Sequence, residues 1–504
     1  MAAGALPLNI TDPIRDHAAA TPLADAIVRE DGEVICYRDL DRAIDGIAAG
    51  LRDCGIQAGA IVRVETPNAY RNLVARLALA RMGAAFAPET MPEAEFDAVL
   101  GQVEGGSTTR PRQLSLKSLW ADWVDSGRKR PATGPCAEAS AIFGFFPTSG
   151  TTGTPRHVAA SHELIARRLA AWGDTPPGAR PPRELSTIGS GTIYGFATRL
   201  RTLWQGGAII VAQAAATLPA LNKFRASRLV IAPNALHRLL EQLPAGAPRP
   251  VSLEEIETSG ALLPDPVYLA ARDRLCMRIT SGYGTTETGW TTLTPAGELS
   301  ARPGAVGFAV PGIEIQIVGA DAAPLPSGSA GALRIRGASC VLAYHHDPAA
   351  SAQVFRDGWF YPGDEATIDA DGMLTLVGRT SEVINKGGQK ISPRVVEEVV
   401  LSASGVRDAA AFGVKLPSGV TQLWAAIVLD GDAPARAGAA AMRELCAKRL
   451  KASAPDVFLR LKEIPRNAMG KILRRELEKM ALASLARRRG GAQPGKPGRP
   501  RTIN

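Results

Sequence analysis

Cysteine is scarce in this 504-residue chain and never falls in C-x-x-C spacing: Cys36, Cys54, Cys136, Cys276, Cys340 and Cys446 stand singly. That excludes a disulfide framework and a cysteine-built zinc site, and makes a reducing, cytoplasmic setting the expectation. No stretch approaches the ~20 consecutive apolar residues that cross a bilayer, and the start, MAAGALPLNITDPIRDH, lacks a basic segment leading into an apolar one. A soluble chain without a membrane span is expected. Histidine is also sparse. His17, His157, His162, His237, His345 and His346 show no metal spacing with acids or cysteines and no Ser-His-Asp arrangement, so all six read as structural or surface positions. Acids are absent from residues 487 to 504, which carry Arg487, Arg488, Arg489, Lys496, Arg499 and Arg501. Of the net charge of +9, those six cations leave only +3 for the rest of the chain. The basic balance therefore reflects a Gly-, Pro- and Arg-rich tail, expected to be disordered, and not a nucleic-acid groove on a folded face.

An apolar content of 45% argues for a globular protein, and the length calls for at least two domains. Strand-like runs alternate with helix-like ones: Ile61 to Glu65 then Tyr70 to Arg81, Leu229 to Ala232 then Asn234 to Gln242, Glu255 to Thr258 then Asp265 to Arg274. This is the rhythm of βα units around a mostly parallel sheet. From about Gly304 to Leu376 the texture changes to short strands broken by Gly, Pro and Asp-Gly turns, which predicts a small β subdomain. Beyond Arg379 come a helix (Arg394 to Ser402), strands (Ala409 to Val414, Leu423 to Leu429) and a second helix (Ala439 to Ala452). The reading is an α/β fold: residues 1–380 form a large N-terminal domain of doubly wound sheets with the β subdomain. An α+β domain follows at 381–486, and the tail at 487–504.

Into that frame falls Thr148-Ser149-Gly150-Thr151-Thr152-Gly153-Thr154-Pro155-Arg156, directly after the apolar run Ala141 to Phe146. Two glycines permit close backbone approach, the hydroxyls can donate to anionic oxygens, and Arg156 adds a fixed charge. The pattern reads as a phosphate-binding loop leaving a buried strand, with a nucleoside triphosphate as its natural ligand. It is not a Walker loop, because no Gly-Lys-Ser/Thr closes it. Taken alone, such a segment could equally be plain surface.

Four further motifs follow in order: Tyr283-Gly284-Thr285-Thr286-Glu287, Tyr361-Pro362-Gly363-Asp364, the run from Gly378-Arg379 through Lys390 to Pro393, and Pro465 through Gly470-Lys471. With the loop, and with Tyr37-Arg38-Asp39-Leu40 to Pro67-Asn68-Ala69, they resemble the adenylate-forming superfamily of acyl-CoA synthetases, luciferases and peptide-synthetase adenylation domains, over roughly residues 10 to 480. The resemblance implies that a carboxylate attacks the α-phosphorus of ATP, pyrophosphate leaves, and a thiol captures the acyl-adenylate. Such a transfer needs positioning and charge neutralisation more than covalent help. It implies Glu287 as the Mg²⁺ ligand, Thr286 as the hydroxyl on the α-phosphate, and Tyr283, Gly284 and Thr285 as the adenine platform, with Ser259-Gly260-Ala261 opposite. Asp364 would take both ribose hydroxyls, Arg379 a ribose or phosphate contact, and Lys471 would bridge carboxylate and phosphate. The C-terminal domain is implied to be mobile, with its hinge at Ser381 and with Gly387, Gly388 and Lys390 presented in one of two conformations. Outside the motifs, Glu287 would read as an ordinary exposed acid and Asp364 as a structural turn residue.

Departures from the family pattern are few. Arg156 stands where Lys is usual, keeping charge but not its geometry. Ser381 replaces Asp or Lys, and Val395 replaces the first acid of P-x-E-[IV]-E while Glu397 remains. Thr192, in Ser190-Gly-Thr-Ile-Tyr-Gly195, stands where a His or aromatic residue commonly borders the acyl pocket. The segment between Pro67 and the phosphate loop is short for the family. Gly189 to Phe196 holds no acid to pair with a substrate ammonium, so α-amino acids are disfavoured. CoA is the expected thiol, with a carrier-protein phosphopantetheine as the alternative. A non-catalytic nucleotide- or acyl-binding regulator is the reading from another class.

Overall fold

Strand Ile142–Pro147 and strand His157–Ser161 pair antiparallel at a sheet edge, on either side of the Thr/Ser/Gly segment in the sequence. The computed structural model describes residues 9–101, 111–126, 138–148, 155–172, 180–213, 216–244, 246–379, 382–386, 389–416, 420–429, 435–466, 470–489 and 501–503. Ser149, Gly150, Thr151, Thr152 and Gly153, and the hinge at Ser381 with Gly387 and Gly388, lie outside them. By contact the chain divides into two compact units, 1–315 with 334–362 and 316–333 with 363–504.

The first unit contains two sheets. One has five parallel strands, in the order Arg112–Ser115, Ala98–Gly101, Ile61–Val64, Ala85–Ala87 and Ile142–Pro147, closed by His157–Ser161. The other has six, Ile279–Thr285, Glu255–Thr258, Arg228–Ile231, Arg183–Ser186, Ala208–Val211 and Asp25–Arg29, with antiparallel strands at its edges, Gly289–Pro295 and Val34–Cys36. Strands buried on both faces read as continuous apolar runs, as in Arg228–Ile231, where all four residues are buried. Helices Tyr37–Asp53, Ala69–Arg81 and Ile193–Trp204 supply one core with residues from both sheets, among them Leu40, Ile47, Val74, Leu77, Phe86, Phe143, Phe196 and Ile209. The far face of the larger sheet packs Ile210, Leu229, Ile231 and Ile256 on Leu236, Leu240 and Ala271 of helices Pro233–Gln242 and Asp265–Arg274. Side-chain caps fix several helix starts: Asn68 accepts from the Arg71 N–H, Ser161 from Leu164 and Thr192 from Gly195. The α/β expectation holds, and each βα pair quoted from the sequence is present within a residue or two.

In the second unit, strands Val406–Lys415 and Thr421–Leu429 pair antiparallel, and Val457–Arg460 joins the latter in parallel. Alternation separates the two faces. Ala409, Ala411, Leu423, Ala425 and Ile427 meet helices Pro393–Leu401 and Ala435–Leu450, whereas Ala410, Phe412, Trp424 and Ala426 meet Leu477 and Ala481 of helix Arg474–Arg489. Two findings depart from the sequence reading. Of the tail expected to be disordered, Arg487–Arg489 end a helix of good helix formers, and Arg501–Ile503 pairs antiparallel with Val457–Arg460 through backbone bonds an edge strand offers. The β texture of residues 304–376 is present, but its strands divide between the two compact units.

Candidate active site

The turn Thr285–Thr288 lies at the tip of the hairpin formed by strands Ile279–Thr285 and Gly289–Pro295. Hydroxyls shape it locally: Thr285 Oγ1 accepts from the N–H groups of Glu287 and Thr288, each at 3.2 Å. One cation holds it from behind. Arg168, 3% exposed on helix His162–Ala170, donates to the carbonyls of Thr286 (3.1 Å), Glu287 (2.9 Å) and Ser339 (3.0 Å). Burial lowers its guanidinium to about 10, still charged at neutral pH. The packing is close. A Cβ on Gly289, whose φ is +67°, would stand 2.9 Å from Arg168 Cδ.

The Glu287 side chain is buried, and its Oε1 accepts a 2.7 Å hydrogen bond from the Tyr344 hydroxyl. Burial, then Glu287 itself, hold the Tyr344 phenol well above its ordinary value, so it stays a donor. Arg156 crosses the Tyr344 ring at 5.2 Å and lies 3.9 Å from Asp347, while the loop ends are tied by the Thr148 N–H to the Arg156 carbonyl at 2.8 Å. Arg156, at the base of the Ser/Thr/Gly loop, therefore stands with the acidic turn through the Tyr344 ring. Glu287 Oε2 makes no hydrogen bond among the described residues, which suits a hard cation that takes a single protein carboxylate. Ser259 donates to the Gly282 carbonyl at 3.1 Å, bringing Ser259-Gly260-Ala261 alongside the Tyr283 strand, and Gly260 has φ +88° with Gly260 and Ala261 exposed. Thr192, the departure near the acyl segment, caps its helix. Behind it Tyr194 and Arg201 engage the buried carboxylate of Glu257 at 2.9 Å each.

In the second unit, strands Asp364–Ile368 and Leu374–Arg379 place Asp364 opposite Arg379. The buried carboxylate of Asp364 accepts from Arg379 Nε at 2.8 Å. Lys471 Nζ lies 3.4 Å from Glu382, directly after the hinge position, and Arg474 bridges Glu382 (3.3 Å) to Glu397 (2.6 Å). Burial and the Arg379 charge lower the Lys471 ammonium, with Glu382 opposing them. Glu397, pushed up by burial, also accepts from the Ala411 N–H at 2.9 Å. That accounts for one departure: Val395 is exposed at the surface, whereas the acid that remains, Glu397, is the paired one. Lys390 lies in strand Gln389–Ile391.

Arg168 and Tyr344 were missed by sequence reasoning, and nothing in their local sequence marks them: Arg168 follows an exposed Arg167 in an ordinary amphipathic helix. Two of the histidines also meet an acid that lies far away in the chain. Side chains of Glu95, His345 and His346 converge, with ligand atoms within 4.8 Å of one another, which chain spacing of about 250 residues hides.

A Ser/Thr/Gly loop base beside a buried acidic turn, on doubly wound sheets, accords with the class of adenylate-forming enzymes. The family of AMP-binding enzymes matches residues 14–345 and its C-terminal domain matches 395–471, so the chain belongs to that family. It is 28% identical to a fatty acid–[acyl-carrier-protein] ligase of Mycobacterium marinum over 94% of this chain and 97% of the relative. It is 30% identical to a sulfoacetate–CoA ligase of Cupriavidus necator over 73% and 72%. Among solved structures, an anthranilate CoA ligase in complex with anthranoyl-AMP has the same fold, with a TM-score of 0.81, 21% identity, and coverage of 95% and 99%.

Proposed function

We propose that the protein activates a carboxylic acid with ATP, releasing pyrophosphate and holding the acyl-adenylate, and then passes the acyl group to the thiol of CoA. The observation that carries this reading is the buried Glu287 carboxylate, bonded by Tyr344 on one oxygen and set on a turn that Arg168 clamps by its carbonyls, next to the base of the phosphate loop. In this reading Thr148, Ser149, Gly150, Thr151, Thr152, Gly153 and Arg156 cradle the phosphates, and Tyr283, Gly284, Thr285 and Ser259-Gly260-Ala261 hold the adenine. Asp364 and Arg379 hold the ribose. Glu287 would hold Mg²⁺, which when bound neutralises phosphate charge. Thr286 orients the α-phosphate oxygens, and Lys471 stabilises the charge that builds as the acid attacks. The domain boundary at 380/381 then serves as the hinge about which Lys471 enters for adenylation and withdraws for thiol transfer, with Lys390 presented in the second step.

A carrier-protein phosphopantetheine is the second acceptor to consider, because a relative matched along nearly the whole chain is named a carrier-protein ligase. The experiment is pyrophosphate release from ATP across short, medium, long and aromatic acids, with and without CoA. Acid-dependent release with CoA-stimulated turnover supports the CoA reading. A single turnover unaffected by CoA moves the acceptor to a carrier protein. ATP binding without release for any acid would instead indicate the regulator reading. Glu287→Gln should weaken the Mg²⁺ dependence of release; an unchanged dependence would mean the metal is held elsewhere.

A further inference from the structure

Arginines withdrawn into the first unit mostly carry an acid with them. Arg81 meets Asp41 (2.7 Å) and Asp45 (2.9 Å), Arg201 meets Glu257 (2.9 Å), and Arg228 meets Glu255 (3.2 Å). Arg168 directs its donors to three carbonyls instead. Arg76 and Arg199 fit neither pattern. Neither makes an ion pair among the described residues, although the charge of exposed Glu89 acts on Arg76 and that of Glu184 on Arg199. Arg76 Nη1, from helix Ala69–Arg81, donates to the Ser190 carbonyl at 2.7 Å, and its Nε is buried with no hydrogen-bond partner among the described residues. Arg199, from helix Ile193–Trp204, donates to the carbonyls of Gly195 and, at 3.4 Å, Ser186. Burial lowers both guanidiniums, Arg76 to about 10, and the Arg199 charge lowers Arg76 further, so the two stand close enough to repel while remaining charged at neutral pH. A buried cation without a counter-charge is strongly destabilising, and a neighbouring one compounds it. One oxyanion relieves both, because it accepts from two guanidinium forks at once.

The segment these arginines hold, Ser186 to Gly195, connects with both halves of the site. Arg76 lies over the Phe86 ring at 4.7 Å, Phe86 packs edge-on against Phe146 at 5.2 Å, and Phe146 stands two residues before Thr148. On the other side Tyr194 meets Trp290 at 5.1 Å, on the strand that leaves the Glu287 turn. Neither arginine is sealed: each keeps part of its surface in solvent, and Gly189 and Gly191, which flank Ser190, are exposed. Gly189 to Phe196 holds no acid, so nothing in that stretch competes with an incoming anion. We propose that Arg76 and Arg199 together bind the second carboxylate of a dicarboxylic acid substrate. The inference rests on the activation reading, in which the first carboxylate attacks the α-phosphorus, and adds the group carried at the acid's far end.

The test is pyrophosphate release by the full chain, with ATP and Mg²⁺, from matched acids: succinate against butyrate, glutarate against valerate, isophthalate against benzoate. In at least one pair the diacid should have the higher kcat/KM by about 10-fold or more, because the monoacid leaves charged donors unpaired. In Arg76→Met and in Arg199→Met that ratio should fall by about 10-fold, through KM for the diacid. Arg71→Ala, on the same helix over Trp120, should keep it. Release from monoacids with no diacid preference in any pair, or a ratio indifferent to both methionine variants, overturns the proposal. A rise in KM for ATP in place of the diacid assigns the anion to the nucleotide's phosphates and overturns it as well. Should a methionine variant fail to fold, Arg76→Lys and Arg199→Lys, which keep the charge without the planar fork, are read in the same way. If no acid of either kind releases pyrophosphate, the activation reading fails on its own. Calorimetric titration of glutarate into the nucleotide-free chain then decides: saturable binding that is lost in Arg76→Met supports the pair as a carboxylate site, and no binding overturns it.

Discussion

Glu287 and Lys471 are held by different kinds of contact. The Glu287 turn is gripped through main-chain carbonyls by a buried arginine and tied internally by hydroxyls, Thr288 Oγ1 accepting from the Thr285 N–H at 3.2 Å. Lys471 Nζ pairs with Glu382, whose other oxygen is shared with Arg474. A carbonyl clamp makes a fixed geometry; an ion pair between partly exposed side chains can be exchanged for another. The difference suits the proposed roles, in which Glu287 stays with the nucleotide and Lys471 leaves it.

The largest effect expected from breaking this contrast is Lys471→Ala. Adenylate formation should fall by about 100-fold or more, while thioester formation from supplied acyl-adenylate persists and the melting temperature barely changes. Equal loss in both half-reactions would end the exchange argument. Next comes Arg168→Ala, which strands two buried carbonyls and a part-buried one. Chemical denaturation should show a loss of about 3 kcal/mol, along with reduced adenylation. Unaltered stability would mean the clamp is ornamental. Glu382→Gln sharpens the comparison through pH. Lys471 is already lowered, and the Glu382 charge raises it, so removing that charge lowers it further. Because adenylation needs the ammonium, activity is lost as pH rises through that lowered value, and the alkaline limb of the adenylation profile should move to lower pH. A limb that stays put would separate Glu382 from Lys471. The smallest effect is Tyr344→Phe, which leaves Glu287 Oε1 without its donor. A several-fold change in the Mg²⁺ concentration needed for half-maximal pyrophosphate release is expected, with stability down by about 1 kcal/mol.

The fold was legible because buried parallel strands and amphipathic helices differ in period, and that difference survives in Arg228–Ile231 and Pro233–Gln242 without any partner being known. Of the candidate site, the sequence marked only the short motifs that hold Glu287, Asp364 and Lys471. Their supports were hidden. Arg168 lies 119 residues from the carbonyl of Glu287, and Tyr344 lies 57 residues from its carboxylate. An arginine in a helix and a tyrosine in a loop carry no local sign of such work. At the tail, composition described the charge but not the free backbone edge of Val457–Arg460 that Arg501–Ile503 meets.

Gly289 and Arg168 constrain each other. A Cβ at 289 would land 2.9 Å from the arginine's Cδ, on a backbone that L-residues resist, so a side chain there would have to displace the arginine that holds the turn. An engineer seeking a different turn would have to rebuild the two positions together.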